Sequence, residues 1–156
     1  MGLLKSNPIM QTGRSRVEAA WDHRLDQGYR LAVVPQAAAY ALALSQPFVK
    51  DHHRRLLTAH AAAPGLIVGV EELALRIGAR GCSYVNLHYG VLGHRVASFL
   101  DLAPPGYSQG PLWTTALAEG ARMGLYRRWY WRLYPEVHDA LETLGWTAEE
   151  ALSERR

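Results

Sequence analysis

The apolar positions of this chain follow a helical repeat for its first hundred residues and a two-residue alternation after that. Val17, Ala20, Trp21 and Leu25 share one side of a helix predicted over Ser15–Gln27, with Gly28 as its stop. Tyr29–Val34 favours β structure but is short, and fits either a strand or a connector. Pro35 opens an alanine-rich helix over Gln36–Ser45, with Tyr40, Ala41 and Leu44 as its stripe, and Pro47 ends it. A further helix, Val49–Ala62, places Leu56, Leu57 and His60 together and leaves Asp51, Arg54 and Arg55 to water. After Pro64-Gly65 comes a short amphipathic segment, Val70–Ile77, then Gly78 and Gly81, then a longer one, Ser83–Leu100. Two helices joined by a glycine-containing turn outline a helix-turn-helix.

Ala103-Pro104-Pro105-Gly106 closes that pair. Leu112–Ala118 and Leu125–Tyr134 then alternate and predict a β-hairpin, with 119–124 as its loop. Pro135 starts a last helix carrying Val137, Ala140, Leu141 and Leu144, and Gly145 caps it. The expected class is mainly α with a small β-hairpin: a winged helix-turn-helix over residues 49–146. An N-terminal arm and helical layer (1–48) precede it, and a charged tail (147–156) follows.

Composition narrows the class. Of 156 residues, 49% are hydrophobic and 20% charged, enough apolar material for a real core. No apolar run approaches the roughly 20 residues of a membrane span, and the first residues lack a signal-peptide core. The single cysteine, Cys82, excludes an intramolecular disulfide, and a cytoplasmic location is expected. The net charge of +3 is compatible with a polyanionic partner. Arginine supplies nearly all the positive charge, and its planar fork suits phosphate.

Candidate chemistry concentrates on two surfaces. On Ser83–Leu100, Val85, Tyr89, Leu92, Val96 and Phe99 mark the expected buried face. Ser83, Asn86, Leu87, Gly90, Gly93, His94 and Ala97 fall opposite. Two glycines inside a helix cost about 1 kcal/mol each relative to alanine, so another body is expected to approach the backbone there. That body is either DNA or a neighbouring helix. Asn86 can pair with adenine, His94 can meet a base edge or phosphate, and Leu87 can touch a thymine methyl. On the hairpin, Arg127, Trp129, Trp131 and Leu133 alternate with Tyr126, Arg128, Tyr130, Arg132 and Tyr134. The second set suits phosphate contact and stacking, or is simply the solvated face of a sheet. Arg122 and Arg127 lie near the hairpin tip, and Arg80 lies in the turn between the helices.

Catalysis finds little support. His52, His53 and His60, with Cys82, His88 and His94, are the available metal-ligand types, but no pair has the spacing of a zinc motif, and no metal or cofactor is expected. Acid–base or metal chemistry at His52, His53 or His88 is the least favoured reading. Cys82 is expected to be buried and inert, and Glu71 and Glu72 to serve the dipole of the helix they open. A protein-interaction or homodimer module remains as an alternative, with Trp21 and the helix Gln36–Ser45 as its interface.

The stretches HHRRLLTAH, VGVEELALRIGA, YVNLHYGVLGHRVASFLDLAPP and RWYWRLYPEVHDALETLGW resemble the winged-helix DNA-binding modules that accompany bacterial restriction and defence proteins. More distantly, VGVEELALRIGA is similar to the start of the helix-turn-helix in alkylguanine-DNA alkyltransferases and alkyltransferase-like proteins. Those enzymes carry a reactive thiol in Pro-Cys-His-Arg, where this chain has Gly93-His94-Arg95 and no cysteine. The resemblance therefore implies binding of double-stranded DNA without alkyl transfer, in restriction, defence or repair, with any enzyme supplied by a partner chain.

Overall fold

The computed structural model describes residues 16–24, 28–108, 110–124 and 126–147. The expected arm before residue 16, Leu25, and the tail after residue 147 lie outside them. Among the described residues the protein is a mixed α/β domain. Helix α1 covers residues 16–22, followed by α2 (Ala37–Leu44), α3 (Asp51–Ala61), strand β1 (Ile67–Gly69), α4 (Val70–Arg76) and α5 (Cys82–Leu100). Next come the short strands β2 (Gly106–Tyr107) and β3 (Gly110–Pro111) and a 3-10 turn, Trp113–Ala116. Strands β4 (Ala118–Met123) and β5 (Arg128–Leu133) and helix α6 (Pro135–Leu144) complete the order. No helix of the described residues is long and apolar enough to cross a membrane.

The sheet is antiparallel in the order β1-β5-β4. Val68 and Gly120 both stand opposite Trp131, and Ala118 stands opposite Leu133. The hairpin differs from its expected frame. Residues Trp113–Ala116, expected in a strand, form a 3-10 turn, and the expected loop 119–124 is mostly strand β4. Ala118, Glu119 and Gly120 are poor strand formers on propensity alone. Gly120 is required here, because the Trp131 ring lies over it where a Cβ would sit. Strand β1, absent from the sequence reading, is too short to show alternation and is wholly buried.

One face of the sheet, carrying Val68, Trp131, Leu133 and Ala118, closes the main core with α2–α6. Helix α2 contributes Tyr40, Ala43 and Leu44 to that core, so the N-terminal layer is continuous with the rest. His60 sits where α3, α5 and β5 meet, fully buried. Its Nδ1 accepts from the Tyr89 hydroxyl at 2.6 Å, and its Nε2–H donates to the carbonyls of Leu66 (3.0 Å) and Trp131 (2.9 Å). These partners fix a neutral tautomer, and burial pushes the His60 pKa down to about 4. Tyr40 donates to the Ala116 carbonyl at 2.6 Å, and Tyr134 to that of Thr115 at 2.7 Å, so buried hydroxyls are spent on backbone acceptors.

The second face of the sheet is covered from the N-terminus. Trp21 of α1, 2% exposed, packs with Ile67, Ala121 and Met123, and with Val17 and Tyr130 at the margin. Tyr29 exchanges both backbone bonds with Gly120 at 2.7 and 2.9 Å, extending the sheet beyond β4 by one bridge. Arg24 (2.9 Å) and Arg30 (3.4 Å) meet the buried Glu119 carboxylate. Burying a large aromatic side chain such as Trp21 is worth roughly 2–3 kcal/mol or more, which ties the first helix firmly to the ribbon formed by β4 and β5.

Candidate nucleic-acid interface

Helix α4 ends at Arg76, and Gly78 just beyond it, with a φ of 70°, supplies the left-handed turn expected between the two helices. Arg80 is exposed in that turn. Helix α5 then runs for 19 residues, held by Val85, Tyr89, Leu92 and Val96 as its spacing predicts. Its outward line carries Ser83, Asn86, Leu87 and His94, all exposed, with Leu87 at 60%. Gly90, half-buried, has open space beside its missing side chain.

Gly93 and Ala97, expected on this line, do not belong to it, since both are buried. At Gly93 a Cβ would collide with the carbonyl of Trp113. The reason is the 3-10 turn, which lies across α5 and needs close backbone approach at that point. One of the two helical glycines thus serves intramolecular packing and the other faces outward. Trp113 also stacks on His94, with ring centroids 4.1 Å apart and planes at 26°, which fixes how that imidazole is presented. Phe99, expected in the core, is 42% exposed beside Phe48.

The ribbon departs further from expectation. Tyr130 and Arg132 lie with Ile67 on the sheet face that Trp21 covers, and both are half-buried. Tyr134 is buried, its hydroxyl bonded on both sides and its pKa pushed up to about 12 by burial. Arg122 turns to the other face, where its guanidinium donates to the Tyr107 hydroxyl and lies 5.5 Å over the rings of both Tyr107 and Trp129. Arg128 pairs with Glu71 at the start of α4. The ribbon guanidiniums at the exposed tip are those of Arg127 and Arg128, and Arg127 takes a φ of 50° in the turn.

Between α4, the start of α5 and β5 lies a cleft of about 650 Å³. Val70, Leu75, Tyr126, Trp129 and Tyr130 make it largely apolar; Asn86 and the half-buried Cys82 open onto it, and Glu71 and Glu72 border it. Glu72 also pairs with Arg76 at 2.7 Å. Two carboxylates therefore stand between the outward line of α5 and the ribbon. Positive charge gathers on the opposite flank instead, where Arg55 (bonded to the Ile77 carbonyl at 2.9 Å), Arg80 and Arg95 (bonded to the Phe48 carbonyl at 3.1 Å) are exposed.

That flank was missed by reading α5 as two faces. Tyr84, His88 and Arg95 repeat at helical spacing and form a third strip, turned toward α3. The structure brings His52, His53 and His88 together there. His60 is engaged in the core, and His94 is against Trp113. Of the expected dimer interface, Trp21 and the helix residues Tyr40, Ala43 and Leu44 are buried within the chain, whereas Ala38 and Leu42 of the same helix are exposed. Comparison with protein-family models, curated sequences and solved structures finds no match for this chain.

Proposed function

We propose that this protein binds double-stranded DNA without catalysis of its own, as a winged helix-turn-helix with α5 as the groove-reading helix and the β4–β5 hairpin as the wing. The observation that carries the reading is the outward line of α5. Ser83, Asn86, Leu87, Gly90 and His94 form an uncharged strip of hydrogen-bonding and small residues, free to meet base edges. The order α3, β1, α4, α5, β4, β5, with β1 pinned to β5, supports it by holding the hairpin beside the helix pair. Glu71 and Glu72 restrict where phosphates run. The backbone contacts fall to Arg80 and Arg55 on one flank and to Arg127 and Arg128 at the ribbon tip, with Arg122 and Arg132 removed from the set. A bacterial restriction, defence or repair setting, with an enzyme on another polypeptide, accords with the sequence resemblance.

The test is fluorescence anisotropy with a random-sequence duplex across a salt series. The logarithm of affinity falls steeply with that of salt, and Arg80→Ala flattens the slope by about one. Asn86→Ala weakens binding at fixed salt without changing the slope. Absence of binding at low salt, or a salt-independent affinity, overturns the reading. A second reading is favoured by exposed Leu75 and Tyr126 in the lining of the apolar cleft: a protein partner seated there in place of DNA.

A further inference from the structure

Three imidazoles meet where α3 crosses α5. One ring nitrogen from each of His52, His53 and His88 lies within 4.8 Å of the other two. The His52 ring is 4.0 Å from that of His53 and 4.6 Å from that of His88, centroid to centroid, and Tyr84 stacks on His88 at 4.3 Å. His53 is 1% exposed, yet its Nε2 is buried without a hydrogen-bond partner. Its Nδ1 accepts the backbone N–H of Lys50 at 3.0 Å, so Nε2 is the nitrogen left over. A buried polar atom without a partner costs about 1–3 kcal/mol, and proteins rarely leave one without a use.

We propose that His52, His53 and His88 form a binding site for a late first-row divalent cation, Zn(II) or a close analogue, which clamps α3 to α5. Imidazole nitrogens suit zinc, nickel and copper, whereas magnesium and calcium need oxygen donors. The surrounding charge is mixed. Asp51 favours a cation beside His52, while Arg95 and Lys50 oppose one, so the site suits an ion held by nitrogen ligands more than by net charge. Tetrahedral zinc at about 2.0–2.1 Å from each nitrogen needs the three rings to draw together. The proton now on His53 Nε2 must move. It passes through solvent to Nδ1 as the Lys50 N–H bond is given up, and that amide, at the exposed start of α3, turns to water. His52 also lines a cleft of about 470 Å³ with Arg55, Arg80 and Tyr84, which leaves a side of the site open to a water ligand.

The experiment is titration of the tag-free full chain with Zn(II) against a chromophoric chelator, with Co(II) absorption reporting geometry and no nucleic acid present. Wild type takes up one ion per chain, and Co(II) gives the intense visible bands of a four-coordinate site. His88→Gln, half-buried and tolerable to the fold, lowers affinity at least tenfold and abolishes those bands. His138→Gln, in the exposed His138–Asp139–Glu142 group on α6, changes neither. At a hundredfold excess of free ion over Kd, the melting temperature rises by about 5–10 °C in wild type and not in His88→Gln. Equal affinity in wild type and His88→Gln, or loss on His138→Gln instead, overturns the proposal. Failure of DNA binding leaves these readings untouched.

Discussion

The outward line of α5 and the arginine–tyrosine face of β5 start from the same kind of pattern and end differently. Each is the polar side of a periodic element, and each carries residues suited to a polyanion. The α5 line stays open from Ser83 to Gly90 and at His94, and is covered at Gly93, by the Trp113 turn, and at Ala97. The β5 face is roofed by Trp21, a hundred residues away in sequence, and its arginines are drawn into pairs with Glu71 or into the shadow of α1. Periodicity tells which residues share a side. Whether that side meets water depends on what arrives from elsewhere in the chain.

The largest effect expected from breaking this contrast is at the roof. Trp21→Ala removes the side chain that covers the ribbon and lowers stability by about 3–5 kcal/mol, measured by denaturant unfolding. On the proposed function, if the ribbon face is purely structural, the folded fraction of that variant has the same affinity for duplex DNA as the parent. Tighter binding per folded molecule would mean the covered arginines are latent contacts.

His60 joins the two regions through Tyr89 on α5 and Trp131 on β5, and pH probes it. Its folded pKa of about 4 lies below the ordinary 6.5, so the unfolded chain takes up a proton first as pH falls. The contribution to stability is complete above about pH 6.5 and is lost progressively as pH drops toward 4, by about 3 kcal/mol in all. Stability should fall over that window while the His60 ring resonance shows no titration near 6.5. A midpoint near 6.5 would mean the ring is wet and the junction open.

The smallest effect separates the two helical glycines. Gly93→Ala drives a Cβ into the Trp113 backbone and costs about 1–3 kcal/mol. Gly90→Ala meets open space and stabilises the helix by up to about 1 kcal/mol. Thermal melts of the pair check the sign. If Gly90→Ala also weakens DNA binding, the open space at that position is used by the ligand.

Much of the helical framework was legible because capping and spacing act locally. Pro135 and Gly145 bracket α6, and Gly78 turns the chain between α4 and α5, each through backbone restrictions that need no distant partner. Strand β4 was hidden, because Ala118-Glu119-Gly120 has no local preference for a strand and is made one by Trp131 lying over Gly120. Strand β1 was hidden by its brevity and burial. In the candidate interface, Ser83, Asn86, Leu87 and His94 were found by helical arithmetic alone, whereas the displacement of Arg122 into the Tyr107–Trp129 stack had no sequence signal. His52, His53 and His88 lacked metal-site spacing because the ligands come from two helices, and only the crossing of α3 and α5 assembles them.

By itself the sequence determined the run of helices, the turn between α4 and α5, the buried stripe of α5 and the absence of a disulfide framework. These depend on φ restrictions and on the repeat of apolar side chains, which a single segment carries within itself. Only the tertiary structure decided which glycine is covered, which arginines stay at the surface and which histidines meet. Those outcomes depend on excluded volume and charge pairing between segments far apart in the chain, which no local pattern records.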